Sequence, residues 1–300
     1  MSANESRVRI GWIGLGNLGT AIAERLIHEG VALTVWNRTR EKAASLAAQW
    51  ADSPRVLAEQ SDLIFLNLFD SAAVRAVLTG PDGILRGPVE GKVVVDTTTN
   101  HFSEVLEFHD LVRARGGSYL EAPVLGSVIP ASQGMLTVLV SGDDEAYDRS
   151  LEIFRKFGKA IFFLGEPGLA SRMKLVNNLV LASFMTTLAE ALALGERSGL
   201  GRDQIVEILS GGAGNSGVLN AKKEKLLRGD FSPHFSCDAI QKDLRYLDDL
   251  SRHLGVPLTM GPAASGVFSE ALAAGLGQQD FSSVYKVLND RPQAQHFDTI

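Results

Sequence analysis

Residues 14–19 read Gly14-Leu15-Gly16-Asn17-Leu18-Gly19, directly after the apolar run Val8–Ile13 and at the head of a helical pattern over Asn17–Glu29. A G-x-G-x-x-G set between a strand and a helix is the fingerprint of a dinucleotide-binding turn. The three glycines do different physical work. Gly14 permits the tight turn, Gly16 lets the backbone approach a pyrophosphate, and Gly19 lets helix and strand pack closely. The helix amino terminus adds N–H groups and the positive end of its dipole. The helical stripe Leu18, Ala21, Ile22, Leu26 stops before Gly30, and Ala32–Trp36 reads as the next strand. Strand, helix and strand in about thirty residues make a βαβ unit.

Outward from this unit the alternation continues. Leu63–Leu68, Val93–Asp96, Ser118–Ala122, Thr137–Ser141 and Ala160–Leu164 are the further candidate strands. They predict a doubly wound, mostly parallel sheet with helices on its faces. After Gly165-Glu166-Pro167-Gly168 the strand-like runs stop. Helical patterns then cover Ala170–Gly195, Arg202–Ser210, Leu219–Leu227, Ala239–Leu254, Gly261–Ala274 and Ser282–Leu288. The expected organisation is an α/β Rossmann domain over residues 1–168 and an all-α domain over 169–300, joined by a long inter-domain helix. The glycine-rich stretch 210–217 reads as a loop between helices, and Asp290–Ile300 as a polar tail.

A chain of 300 residues with 45% hydrophobic and 21% charged residues suits about two well-cored domains. A formal net charge of −6 supplies no broad basic field, which argues against a nucleic-acid partner. Cys237 is the single cysteine, so no internal disulfide forms and a reducing compartment fits. The segment Met1–Arg9 lacks a secretory pattern. Leu175–Leu194 approaches the length of a membrane span, but Asn177, Asn178 and Glu190 interrupt it and Lys174 heads it, so it reads as a buried core helix. The expectation is a cytoplasmic protein without a membrane partner. The six histidines show no metal-ligand spacing, so no metal is expected.

Four further segments carry chemistry. The second strand ends in Trp36-Asn37-Arg38-Thr39-Arg40, without the carboxylate that would accept from ribose hydroxyls and repel a 2′-phosphate. Arg38 there suits that phosphate and the adenine face, with Asn37 and Thr39 as donors and Lys42 in support, which selects NADPH over NADH. Asp96-Thr97-Thr98-Thr99 places hydroxyls at the carboxyl end of the fourth strand. In Glu121-Ala122-Pro123-Val124-Leu125-Gly126-Ser127, Gly126 and Ser127 have N–H groups to present to a carboxylate. Lys174, Asn177 and Asn178 share one helix face by their i, i+3, i+4 spacing. An ammonium beside a carbonyl that receives hydride stabilises the developing charge and donates the proton. Lys242, in Lys242-Asp243-Leu244, is another cationic candidate, with a surface ion pair as its plain structural reading.

Taken together, these segments resemble the β-hydroxyacid dehydrogenase family, the group of 3-hydroxyisobutyrate dehydrogenase, tartronate semialdehyde reductase and the glyoxylate/succinic semialdehyde reductases. The resemblance runs from Arg9 to about Leu288 and rests on the glycine loop, Asp96–Thr99, Glu121–Ser127, Lys174–Asn178 and Lys242-Asp243-Leu244, in that order. It implies Lys174 as the catalytic lysine, Asn178 as a substrate-holding residue, and Thr98, Gly126 and Ser127 at a substrate carboxylate. It further implies that Leu68, Phe69 and Thr99 touch the cofactor beside Gly14, Gly16, Asn17, Leu18, Gly19, Asn37, Arg38 and Thr39, with Lys242 over the nicotinamide end. The tract Gly126-Ser127, Pro130-Ala131, Gly134 and Leu136 looks most like the glyoxylate/succinic semialdehyde reductase branch, as does Asn37-Arg38-Thr39. The implied protein is an NADPH-dependent reductase of a small aldehyde or keto acid, a homodimer or homotetramer through its helical domain.

Departures from the pattern sharpen this expectation. Leu125 replaces a substrate-binding serine, Phe69 and Phe102 stand where prolines are usual, and Ala170 replaces a glycine. Leu125 and Phe69 make the mouth of the site more apolar, which suits a substrate bulkier or less anionic than glyoxylate. Imine reductases share the architecture and the Trp36-Asn37-Arg38-Thr39 string but generally lack the lysine. The alternatives are therefore an NAD(P)-dependent oxidation of a 3-hydroxy acid or an imine reductase, and after them a non-catalytic NADPH-binding protein.

Overall fold

The structure is a computed structural model that describes residues 8–291. Residues 1–7, His296 and the part of the expected tail from 292 onward lie outside the described residues. The chain divides into two compact units, the first ending at Lys174 and the second beginning at Leu175. The division falls within the long helix, after its first six residues, Leu169–Lys174.

In the first unit the strands are β1 (Ile10–Ile13), β2 (Leu33–Trp36), β3 (Gln49–Trp50), β4 (Leu63–Leu66), β5 (Val93–Asp96), β6 (Ser118–Glu121), β7 (Val124–Leu125), β8 (Leu136–Gly142) and β9 (Gly158–Phe163). The connecting helices are α1 (Asn17–His28), α2 (Pro54–Glu59), α3 (Ser71–Thr79), α4 (Glu104–Arg113), α5 (Val128–Ser132) and α6 (Asp144–Phe157). The strands lie in the order β3-β2-β1-β4-β5-β6-β8-β7, with β9 paired to β8. The first six are parallel to one another, and β8 runs antiparallel to β6 and β7. This 3-2-1-4-5-6 order is that of the doubly wound nucleotide-binding fold, in which connections from β1 and β4 diverge and open a crevice at the carboxyl edge.

Burial on both faces explains why the central strands are continuous apolar runs. Trp12, Phe65, Phe154 and Phe157 form the core on one face, with Trp12 stacked on Phe65 at 5.8 Å between ring centroids. Ile13, Ile64, Leu66, Val94 and Phe108 form the core on the other. The short strands β3 and β7 were not among the sequence expectations, because two residues carry no readable alternation.

The long helix α7 (Leu169–Arg197) leads from the first unit into the second. The second unit continues with α8 (Arg202–Gly211), α9 (Gly217–Arg228), α10 (Cys237–Leu254), α11 (Met260–Ala273) and α12 (Val284–Asp290). The helix starts have local causes: the Ser216 and Ser236 side chains accept from the Leu219 and Ala239 N–H groups at the heads of α9 and α10. Among the described residues α7 alone is long and apolar enough to cross a membrane. Its apolar residues divide by face: Leu175, Ala182, Met185, Ala189 and Leu192 are buried, whereas Met173, Val176, Val180 and Phe184 are exposed.

Candidate functional site

The three glycines of the first loop sort by what a side chain would meet. At Gly14, φ is +102° and a Cβ would lie 2.1 Å from the Asn67 carbonyl oxygen, so the turn after β1 requires glycine. At Gly19 a Cβ would lie 2.2 Å from the Gly14 carbonyl oxygen, which is the close approach of α1 to its own entry loop. At Gly16 nothing among the described residues, apart from its own chain neighbours, comes within 4 Å of that position. The protein's own packing gives no reason for glycine there. An open cradle at the head of α1, whose N-cap residue Gly16 has no side chain, fits a pyrophosphate that needs the backbone itself.

Around this cradle the loop is braced. The Trp12 indole N–H donates to the Gly14 carbonyl at 3.0 Å, and the Gly14 N–H donates to the Trp36 carbonyl at 3.1 Å. Asn37 accepts from the Leu15 N–H at 2.9 Å and donates to the Thr39 carbonyl at 2.8 Å. Its amide, expected to donate to the cofactor, thus ties the glycine loop to the turn after β2. Arg38, Thr39, Arg40 and Lys42 are exposed on that turn, and the Arg40 guanidinium lies 5.3 Å over the Trp50 ring.

The threonine loop after β5 is tied to the β4 loop through its hydroxyls. Thr98 is buried, and its hydroxyl accepts from the Leu68 N–H at 2.9 Å. Thr97 accepts from Asn67 Nδ2 at 2.8 Å and donates to the Leu66 carbonyl at 2.6 Å. Both hydroxyls therefore lace the β5 loop to the β4 loop, at the position where Thr98 is expected beside a substrate carboxylate. Beneath them Asp96 is fully buried and accepts from the Thr98 N–H, Asn100 Nδ2 and the Tyr119 hydroxyl. Burial pushes its pKa up, against the pull of these bonds. Thr99 is half-buried, as is Leu68, while Phe69 is exposed.

The chain after β6 shapes the next part. Gly126 has φ +120° and a Cβ there would meet Leu136 Cδ2 at 2.6 Å, so this turn admits only glycine. Ser127 opens α5, and Leu125 is half-buried in β7. Lys174, on α7, is buried and its Nζ donates to the Val124 carbonyl at 2.9 Å. The ammonium is thereby anchored to the segment that carries Leu125, Gly126 and Ser127. Glu121 is buried as well, and its carboxylate accepts from the Gly168 and Ser171 N–H groups at the start of α7. Burial pushes its pKa up to about 7.

In the second unit Asn178 is fully buried and donates through Nδ2 to Asp243 at 2.6 Å, while Asn177 donates to its Oδ1 at 3.1 Å. Asp243 also pairs with Lys242 at 2.9 Å, and Lys242 Nζ lies 5.0 Å over the Tyr246 ring. Lys242 thus sits in a buried ion pair on α10. The expected face of α7 is present: Lys174 and Asn178 are buried and Asn177 is half-buried. Sequence reasoning missed Asn67, Trp12 and Ser141 as braces, and gave no structural role to Asp96, Glu121 or Asp243. The available signal was polar residues at predicted strand ends, whose partners lie far away in the chain.

Comparison with known proteins agrees with this geometry. Residues 9–165 match the family described as the NAD binding domain of 6-phosphogluconate dehydrogenase, and residues 168–288 match that described as NAD-binding of NADP-dependent 3-hydroxyisobutyrate dehydrogenase. Among similar proteins is cytokine-like nuclear factor N-PAC of Mus musculus, 37% identical over 93% of this chain; the chain spans 50% of N-PAC. The 2-(hydroxymethyl)glutarate dehydrogenase of Eubacterium barkeri is 34% identical over 94% of this chain and 95% of that protein. The crystal structure of 3-hydroxyisobutyrate dehydrogenase from Salmonella typhimurium superposes with a TM-score of 0.86 at 27% identity, covering 93% of this chain and 99% of that one. On a doubly wound sheet with an open glycine cradle and an all-helical second unit, these matches place the chain in the β-hydroxyacid dehydrogenase family, whose members are NAD(P)-dependent dehydrogenases acting on CH–OH groups.

Proposed function

We propose that this chain is an NADPH-dependent reductase of a small aldehyde or keto acid, with Lys174 as the general acid. The observation that carries the reading is the buried Lys174 ammonium, held on the Val124 carbonyl at 2.9 Å. Gly16 and the N–H groups heading α1 receive the pyrophosphate. Arg38, at the end of β2, receives the 2′-phosphate, and Thr39 supports it. When bound, the reduced nicotinamide supplies hydride to the substrate's carbonyl carbon. Lys174 donates its proton to the carbonyl oxygen as negative charge develops there, which is the moment an ammonium in a water-poor site stabilises most. Gly126 and Ser127 face the polar end of the substrate, and Leu125 with Phe69 selects for an apolar remainder. The apolar residues exposed along α7 support a homo-oligomer, which the mass in sedimentation tests.

Lys174→Ala is expected to slow the chemical step by at least about a hundredfold, with NADPH affinity nearly intact by fluorescence titration. Unchanged turnover in that variant removes the lysine from the mechanism. Wild-type protein that binds NADPH tightly but reduces none of a panel of aldehydes graded by charge and size overturns the enzymatic reading. Arg38→Glu is expected to cut the preference for NADPH over NADH by about 10- to 100-fold, the range for losing a hydrogen bond to a charged group. An equal preference before and after places phosphate recognition elsewhere.

A further inference from the structure

We propose that Glu121 is a positioning residue of this site: its carboxylate clamps the first turn of α7 and so fixes where the Lys174 ammonium stands. Glu121 ends β6, and Ser141 lies directly across from it on β8. The two side chains cap one helix turn together. Glu121 takes the Gly168 N–H on Oε1 and the Ser171 N–H on Oε2, the latter at 2.9 Å, and Ser141 Oγ takes the Ala170 N–H at 3.1 Å. Three residues beyond Glu121, the Val124 carbonyl receives Lys174 Nζ. One short segment thus grips α7 at its first N–H groups and again at Lys174.

Two N–H donors on two different oxygens call for an ionised carboxylate, since a proton on either oxygen weakens one of the bonds. Burial opposes ionisation and brings the group's pKa from 4.5 to about 7. The neighbours that face it are few. Asp96 on β5 is its partner in register and raises its pKa further. Tyr119, on β6 itself, bonds to Asp96, and His109 on α4 lies edge-on to Tyr119 at 4.8 Å, its pKa held down at about 4 by burial. On the clamped helix the nearby cations are Lys174 and Arg172, whose guanidinium lies close to Gly168. Because the folded pKa of Glu121 lies above its ordinary value, its contribution to stability is fully present below pH 4.5 and is lost as pH rises through about 7. The clamp itself tightens over the same range. Stability and turnover therefore run in opposite directions across pH 7.

The inference rests on Lys174 being the acid, but its first test needs no substrate. Hydrogen exchange of the Gly168, Ala170 and Ser171 amides in the full chain, corrected for intrinsic rates, is expected to lose about tenfold in protection between pH 8 and pH 6, following one titrating group. In Glu121→Gln the protection is expected to be lower and independent of pH. Protection that is flat with pH in the wild type overturns the proposal, whether or not the variant folds. With succinic semialdehyde and NADPH, E121Q is expected to lower kcat about tenfold at pH 8, less than the ~hundredfold a 1 Å misplacement can cost. The NADPH KM stays within about twofold, the acid limb of the profile disappears, and Tm no longer falls as pH rises through about 7. An acid limb retained in E121Q also overturns the proposal. A purely structural carboxylate would lower kcat and Tm together. Normal exchange behaviour with an inactive wild type would instead sink the reductase reading and leave the clamp standing.

Discussion

The loop after β1 and the loop after β5 leave the same carboxyl edge of one sheet, yet the first keeps an opening and the second closes on itself. Residues 14–19 hold their shape through backbone groups, the Trp12 indole and the Asn37 amide, and leave the space at Gly16 open. Asp96, Thr97, Thr98 and Asn100 spend polar side-chain atoms on one another, on Tyr119 and on the β4 loop. The difference supports placing the proposed ligand contact at the first loop. Backbone N–H groups at a helix start remain available to a ligand, whereas hydroxyls beside a buried carboxylate are drawn into satisfying it.

Three substitutions break or sharpen that contrast. Gly19→Ala forces a methyl group against the Gly14 carbonyl and is expected to destabilise the fold by about 1–3 kcal/mol, measured by urea denaturation, with cofactor affinity falling as well. A smaller effect is expected of Thr98→Val, which keeps the shape but leaves the Leu68 N–H without its acceptor. A loss of ~1 kcal/mol with substrate KM unchanged would fit a structural hydroxyl, and a large rise in KM at full stability would return Thr98 to the substrate. Gly16→Ala is expected to leave stability within about 0.5 kcal/mol while weakening NADPH binding about tenfold or more, because the added methyl fills only ligand space. Unaltered NADPH affinity in that variant would show that the cradle is not the pyrophosphate site.

Much of the frame is legible in the chain itself. The glycine spacing, the runs β4 and β5 and the switch to helical periodicity near residue 169 all follow from local pattern, since buried parallel strands are continuously apolar and helices repeat near every 3.6 residues. Arg38 at the end of β2 is readable for the same reason: its place depends only on the adjacent strand. Thr98, Asn37 and Lys242 are harder. Local pattern puts each at its strand end, turn or helix, but what Asn37 and Thr98 bond depends on residues 22 and 30 positions away, and the Lys242 pair on how deeply its helix is buried.

The order of secondary structure, the nucleotide-binding turn, the missing acidic residue after β2 and the polar face of α7 were determined by the amino-acid sequence alone, through propensity and period. Only the tertiary structure decided that Gly16 is the open glycine of the loop, that Thr98 accepts from the Leu68 N–H, and that Glu121 and Ser141 jointly cap the helix bearing Lys174. Buried polar atoms must find partners wherever packing brings them, and that choice is made in space after the chain has folded.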